Sequence, residues 1–163
     1  MEICYKRVGS SADAARVAAA AKEIWEEYYT PLLGETQVAY MLKTMQSEGA
    51  IWQQIGDGMA YTLVECGEEV AGYYATKRIE DRLFLSKMYL RRAHRGKGIF
   101  RQVLDRLLAD AKGCKSIYLT VNRGNEDSIA AYQRLGFAIV AEEKGDIGQG
   151  YVMDDYIMEY PLG

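Results

Sequence analysis

Residues 83–108 (LFLSKMYLRRAHRGKGIFRQVLDRLL) constrain the fold more than any other stretch. They read as strand, tight basic loop and helix. Residues 83–90 form an apolar-rich run of strand length. Phe100, Val103, Leu104, Leu107, Leu108 and Ala111 then recur at helical spacing and define one apolar face. Between them lies Arg95-Gly96-Lys97-Gly98-Ile99. Two glycines at a helix start let backbone N–H groups approach an anion closely, and the helix dipole favours negative charge there. From Leu83 to Leu104 there are six Lys or Arg and no Asp or Glu, although the chain as a whole carries a net charge of −3. The stretch is suited to gripping a phosphate-bearing ligand.

Two phosphate motifs are excluded. A Walker loop needs Gly-Lys followed by Ser or Thr, and here Gly98 follows Lys97. A dinucleotide fingerprint needs a third glycine where Arg101 stands. The length of 163 residues suits one domain, 1–163, with a sizeable core. No apolar run approaches the ~20 residues of a membrane span, and the N-terminal MEICYKRV lacks a signal-peptide core. A cytoplasmic protein with no membrane partner is expected. Cys4, Cys66 and Cys114 are far apart with no C-x-x-C spacing, so buried inert thiols are expected and no metal site. The pI near 5.3 argues against a nucleic-acid partner, although the Arg91-to-Arg101 run keeps that rival open to a salt-dependence test.

The pattern predicts strands at 2–8, 60–66, 70–79, 83–90, 116–121, 137–141 and 151–160. It predicts helices at about 12–30, closed by Pro31 and Gly34, at 36–47, at 50–55 after the interruption at Gly49, after Ile99, and at 126–135, closed by Gly136. A helix between the strands at 83 and 116 demands a parallel crossover. The other strands can pair as hairpins. The fold class is therefore α/β with a mixed sheet.

Arg95-Gly96-Lys97-Gly98-Ile99-Phe100 resembles the acyl-CoA signature [Arg/Gln]-x-x-Gly-x-[Gly/Ala] of the GNAT N-acetyltransferases. Arg95 and Gly98 match, and Phe100 stands where the family has a small residue. Residues 121–137 (VNRGNEDSIAAYQRLGF) are similar to the family's Asn, apolar-Ala-x-Tyr and Leu-Gly-Phe pattern. The two motifs one strand apart are more specific than either alone. The resemblance implies a GNAT-like acyl-CoA N-acyltransferase fold with a splayed central sheet. It also implies acetyl-CoA as cosubstrate, without a metal, and acetyl transfer to a primary amine by direct attack in a ternary complex. Backbone groups of Met88, Tyr89 and Leu90 would hold the pantetheine and the thioester carbonyl, and Met88 or Tyr89 would donate to the oxyanion. Gly96, Lys97, Gly98 and Ile99 would hold the pyrophosphate, with Arg95, Lys97 and Arg101 nearby. Arg91 and Arg92 would either reach the adenosine phosphates or stay solvated.

Asn125 would bond the pantetheine, cap the following helix, or both. Tyr132 stands where the family has its general acid, because a phenol (about 10) outlasts a thiol (about 8.5) as a protonated group. Its other reading is a core tyrosine among the 13 of this chain. Many family members carry a base Glu in the strand before the basic loop, and 83–90 contains no acid. Glu26, Glu27, Glu80, Asp154 and Asp155 are the candidates. His94 is expected to be a solvated loop residue. The tail DIGQGYVMDDYIMEY and the segment 37–51 resemble a bacterial polyamine (spermidine/spermine-type) acetyltransferase subgroup, which makes a polyamine one candidate acceptor. The alternative from another class is a non-catalytic CoA-binding regulatory or interaction module. Paired tyrosines and Met-rich helices would form either a homodimer face or core.

Overall fold

The computed structural model describes residues 2–163 and shows a mixed α/β chain. β1 (Ile3–Arg7) leads into α1 (Ser11–Leu33), α2 (Glu35–Met45) and α3 (Glu48–Gly56). β2 (Ala60–Cys66), β3 (Glu69–Ile79) and β4 (Arg82–Leu90) follow, then a 3₁₀ turn (Arg92–His94) and α4 (Ile99–Asp110). β5 (Ser116–Asn122), α5 (Glu126–Leu135), β6 (Ala138–Gly148) and β7 (Tyr151–Pro161) complete the order. The seven strands are hydrogen-bonded in the order β1-β2-β3-β4-β5-β7-β6. β4 and β5 run parallel, as a helical crossover requires, while β1–β2, β2–β3, β5–β7 and β6–β7 are antiparallel. None of the described helices is long and apolar enough to cross a membrane. Two compact units emerge: residues 2–77 with Lys87–Ile99, and Arg78–Ser86 with Phe100–Gly163.

In the first unit, Ser10 caps α1, its hydroxyl accepting from the Asp13 N–H at 3.1 Å. The helix does not stop at Pro31. It runs to Leu33 and closes at Gly34, because a proline in the last turn forfeits a single backbone bond close to where the ladder ends anyway. Gly49 likewise lies inside α3, whose true start is set by Ser47 accepting from the Ala50 N–H at 3.2 Å. Ala14, Val17, Ala20, Ala21, Ile24 and Trp25 of α1 are buried. α1 packs on α2 and α3, where Val38, Met41 and Ile51 are also buried. Tyr28 is half-buried and its neighbour Tyr29 takes the core position. With Tyr73, Tyr74 and Met41 it belongs to the core rather than to an open face.

One polar network lies inside this core. Gln46 is 2% exposed. Its Nε2 donates to the Tyr61 hydroxyl at 3.0 Å and to the Met45 carbonyl at 2.6 Å, and its Oε1 accepts from the Tyr73 hydroxyl at 2.5 Å. Tyr61 in turn donates to Gln54 Oε1 at 2.6 Å. Burial pushes the Tyr61 phenol up to about 12, and that of Tyr73 well above its ordinary value, so both stay neutral donors. A buried donor left without an acceptor costs about 1–3 kcal/mol. Gln46→Leu is therefore expected to destabilise the protein by about 2 kcal/mol in urea unfolding. An unchanged midpoint would show that the two phenols find other partners.

In the second unit, Leu83 and Leu85 of β4 and Ile117, Leu119 and Val121 of β5 are buried, as are Val103, Leu104, Leu107 and Ala111. The Arg78 guanidinium donates to the carbonyls of Asp110 and Lys112 at 2.9 and 2.7 Å, closing α4 in place of a basic residue in its own last turn. α5 ends as expected at Gly136, in the left-handed region at φ 112°. β6 does not stop at Ala141 but continues to Gly148, mostly exposed along its length. β4 and β5 are paired from Arg82↔Ser116 to Leu85↔Leu119, whereas the β5–β7 pairing goes on to Asn122↔Asp155. Cys66 and Cys114 are buried, as expected of inert thiols, whereas Cys4 is exposed.

Candidate active site

The basic loop belongs to the first unit. Along β4 the buried residues are Leu83 and Leu85 and then Met88 and Leu90, with Ser86 and Lys87 half-buried between. Alternate residues of a regular strand share a face, so the alternation slips by one residue, as a bulge produces. The Tyr89 hydroxyl lies 2.8 Å from that of Tyr29, and its ring packs against Trp25 and Tyr73. The Arg91 N–H donates to the Ala71 carbonyl at 2.8 Å. Burial of its ammonium lowers Lys87 to about 8.

Beyond β4 the arginines turn towards α1. Arg95 is fastened three ways: Nε donates to the Leu90 carbonyl at 3.0 Å, Nη2 lies 2.8 Å from Glu27 Oε1, and the guanidinium sits 4.3 Å from the Tyr28 ring centroid. Arg91 forms an ion pair with Glu23, and Arg92 Nε lies 3.7 Å from Glu27 Oε2. Such partly exposed pairs contribute little to stability, about 0–1 kcal/mol each. Their effect is to fix the course of the loop. Glu27, a candidate base from the sequence, is thus engaged by two arginines. His94 is not solvated: it is 7% exposed, and its Nε2 lies 3.6 Å from Glu69 Oε2. The 3₁₀ turn draws the ring inward. Glu23, Glu27 and Tyr28 were not foreseen as partners of the loop. Their spacing on one helix, with acids four apart, was the available signal.

Gly96 and Gly98 have φ of 72° and 80°, and no heavy atom lies within 4 Å of where a Cβ would stand on either. Among the described residues, the N–H groups of Gly96, Lys97, Gly98 and Ile99 donate to no backbone carbonyl in the turns. Lys97 is exposed. Open left-handed glycines, undonated N–H groups, a free-standing cation and the start of α4 make a donor set that fits a diphosphate.

The second unit carries the other candidates. Asn125 caps α5, its Oδ1 accepting from the Ser128 N–H at 3.3 Å, so the capping role holds. Tyr132, on the same helix, is 7% exposed and packs against Phe100 (ring centroids 5.1 Å apart) and Phe137 (5.5 Å). The bulky residue in the first turn of α4 therefore serves as a packing surface for Tyr132. Arg123 is engaged by Asp154 Oδ1 at 3.3 Å and Glu142 Oε1 at 3.0 Å, and it donates to the Tyr156 hydroxyl at 3.1 Å. Asp155 differs from Asp154: its Oδ1 is buried without a hydrogen-bond partner. Desolvation, then the charges of Glu143 and Asp154, raise its carboxyl to about 6. Among the described residues no cluster of three or more His, Cys, Asp or Glu could hold a metal ion.

The acetyltransferase (GNAT) family model matches residues 18–137, and the chain belongs to that family. It is similar to a probable spermine N(1)-acetyltransferase of Bacillus subtilis subsp. natto (strain BEST195), being 34% identical over 64 residues, which are 37% of this chain and 42% of that protein. The match thus spans less than half the length of that relative. Among solved structures, the chain is similar to the PaiA N-acetyltransferase of Thermoplasma acidophilum in complex with coenzyme A. The TM-score is 0.80 at 21% identity, covering 99% of this chain and 100% of that one. It is also similar to YncA of Salmonella typhimurium with acetyl-CoA, with a TM-score of 0.67 at 19% identity, covering 100% of this chain and 95% of that one. At these identities the likeness is one of fold.

Proposed function

We propose that the protein moves an acetyl group from acetyl-CoA to a primary amine, by direct attack of the amine in a ternary complex. The observation that carries this reading is the open loop from Gly96 to Ile99, whose backbone N–H groups stand ready for a diphosphate in a chain of the GNAT family. Acetyl-CoA supplies the acyl group and a thiolate that leaves. The chain's residues do the rest. The N–H groups of Gly96, Lys97, Gly98 and Ile99 bind the diphosphate, helped by the Lys97 ammonium. Arg95 holds the loop against Leu90, Glu27 and Tyr28 rather than gripping phosphate itself. Backbone groups of Met88, Tyr89 and Leu90 orient the pantetheine, and one of these N–H groups donates to the thioester oxygen as charge develops there. Asn125, besides capping α5, offers its amide to the pantetheine. Tyr132 donates its hydroxyl proton to the leaving sulfur. Burial of Cys66 and Cys114 supports direct transfer over an acetyl-cysteine route.

The acceptor class rests on the 64-residue likeness to a probable spermine acetyltransferase, and on Glu143 and Asp155, which stand opposite each other on β6 and β7. A polycation suits them, so spermidine and spermine are the proposed acceptors. Calorimetry is expected to show binding of coenzyme A and acetyl-CoA, and thiol release is expected with either polyamine. No heat with either coenzyme would remove the reading. Transfer to small amines or peptide N-termini without transfer to polyamines would remove only the acceptor assignment.

A further inference from the structure

The transfer reaction needs a proton acceptor, and the strand before the basic loop supplies no carboxylate. The second unit places one elsewhere. Asn122 stands opposite Asp155 between β5 and β7, and Asp155 stands opposite Glu143 between β7 and β6. Directly opposed residues of antiparallel strands put their side chains on the same face, so these three form one row across the end of β5. Asn122 is fixed there, its Oδ1 accepting from the Gly124 N–H at 2.8 Å and its carbonyl from the Asn125 N–H at 2.9 Å. The turn so made feeds directly into α5, which carries Tyr132. Asp154 is spent on Arg123, as is Glu142. Within the row, the buried Oδ1 of Asp155 has no hydrogen-bond partner. A buried polar atom left unpaired is costly and calls for a role.

We propose that Asp155 is the proton acceptor for the attacking amine, an assignment that rests on the transferase reading above. The acceptor arrives as an ammonium ion. One proton passes to Asp155 Oδ1 and from there to solvent. The freed lone pair forms the nitrogen–carbon bond, and the carbon–sulfur bond breaks with its electron pair on sulfur. Sulfur takes the Tyr132 hydroxyl proton, and the second proton lost by nitrogen restores the phenol. The sum is ammonium plus thioester giving amide, thiol and one proton. The surroundings suit the task. Glu143 from β6 and Asp154 from β7 raise the proton affinity of Asp155, while Arg123 is held by Glu142 and Asp154. A base that titrates near the working pH is the effective one.

The same placement governs stability. Asp155 is a weaker acid folded, at about 6, than its ordinary 3.8. Its contribution to stability is complete below about pH 4 and is lost as the pH rises through about 6. At pH 8 the charged carboxylate weakens the fold, so Asp155→Asn is expected to melt no earlier than the parent protein.

The test compares the parent protein with Asp155→Asn and Asp155→Glu. Spermidine and a short peptide with a free N-terminus serve as acceptors, and thiol release is followed from pH 5 to 9. The parent turnover at saturating amine is expected to rise with unit slope below about pH 6 and then level. Asp155→Asn is expected to lose about 100-fold or more and to lose that inflection, with coenzyme A affinity within about twofold. Asp155→Glu is expected to regain part of the rate with the inflection moved. An Asp155→Asn protein that keeps its turnover within about threefold, or keeps the inflection, overturns the assignment. A parent protein that binds coenzyme A yet transfers to neither acceptor nor to any amine of a wider panel overturns the transferase reading, and this base with it.

Discussion

Gly72→Ala is expected to cost about 3 kcal/mol of stability, near the upper end for overpacking a well-packed interior. In β3, a Cβ on Gly72 would overlap the carbonyl oxygen of Tyr89 and lie 2.9 Å from both Cα and Cδ2 of Leu90. Backbone atoms cannot swing aside as the tip of a lysine can, so the main chain of Tyr89 and Leu90 would have to move away. The neighbouring bond from the Arg91 N–H to the Ala71 carbonyl, 2.8 Å long, would stretch with it. The position is already unusual: the β2–β3 register shifts between Val64, opposite Gly72, and Glu65, opposite Val70, which leaves Ala71 as an extra residue. At about 2–4 °C per kcal/mol for a chain of this size, the melting temperature should fall by about 6–12 °C. Because Tyr89 and Leu90 lie in the segment assigned to the pantetheine, coenzyme A affinity should fall in the same variant, by about tenfold or more if the backbone shifts by an ångström. A variant melting within about 2 °C of the parent would show that the two segments separate freely. The assignment of a fixed backbone at Met88 to Leu90 would then fall.

Why some of this was legible beforehand, and some not, follows from what each signal measures. α5 was readable to the residue: Asn125 as cap, apolar positions at helical spacing, and Gly136 to stop. β2 was equally plain, because five of its seven residues are buried and the run is bounded by Gly58 and Gly67. β6 was read short because residues 142–146 are mostly charged. An exposed strand has no apolar alternation to show, and only its pairing with β7 makes it a strand. The loop's glycines and its charge were visible as a motif. The destinations of Arg91, Arg92 and Arg95 were not, since Glu23 and Glu27 are remote in sequence and meet them only through folding of α1. His94 misled for the same reason: polarity predicts exposure, and the 3₁₀ turn overrides it. Asp155 was one acid among several candidates. What separates it from Asp154, its neighbour on β7, is the strand pleat, which sends one carboxylate to Arg123 and the other to a buried place without a partner.

Tyr132→Phe is expected to lower turnover by about 10²–10⁴-fold, the usual loss when a positioned proton donor is removed. The variant removes only the hydroxyl. The ring would still meet Phe100 at 5.1 Å and Phe137 at 5.5 Å, and Phe137 would still meet Tyr160 at 5.4 Å, so the packing around α5 survives. Loss of a hydroxyl hydrogen bond costs stability by about 1 kcal/mol, too little to unfold a domain of this size. The two readings of this residue therefore diverge in measurement. A core tyrosine would give a modest fall in melting temperature and full turnover. A proton donor gives nearly parental melting, coenzyme A affinity within about twofold, and a collapsed turnover number. The rate should depend on the leaving thiol of the acyl donor in a telling way: a thioester whose thiol is more acidic needs less help from a proton donor, so the deficit of Tyr132→Phe should shrink with such a substrate. If turnover is unchanged with the natural thioester, the phenol takes no part in protonating sulfur, and the thiolate departs unaided or takes its proton from water.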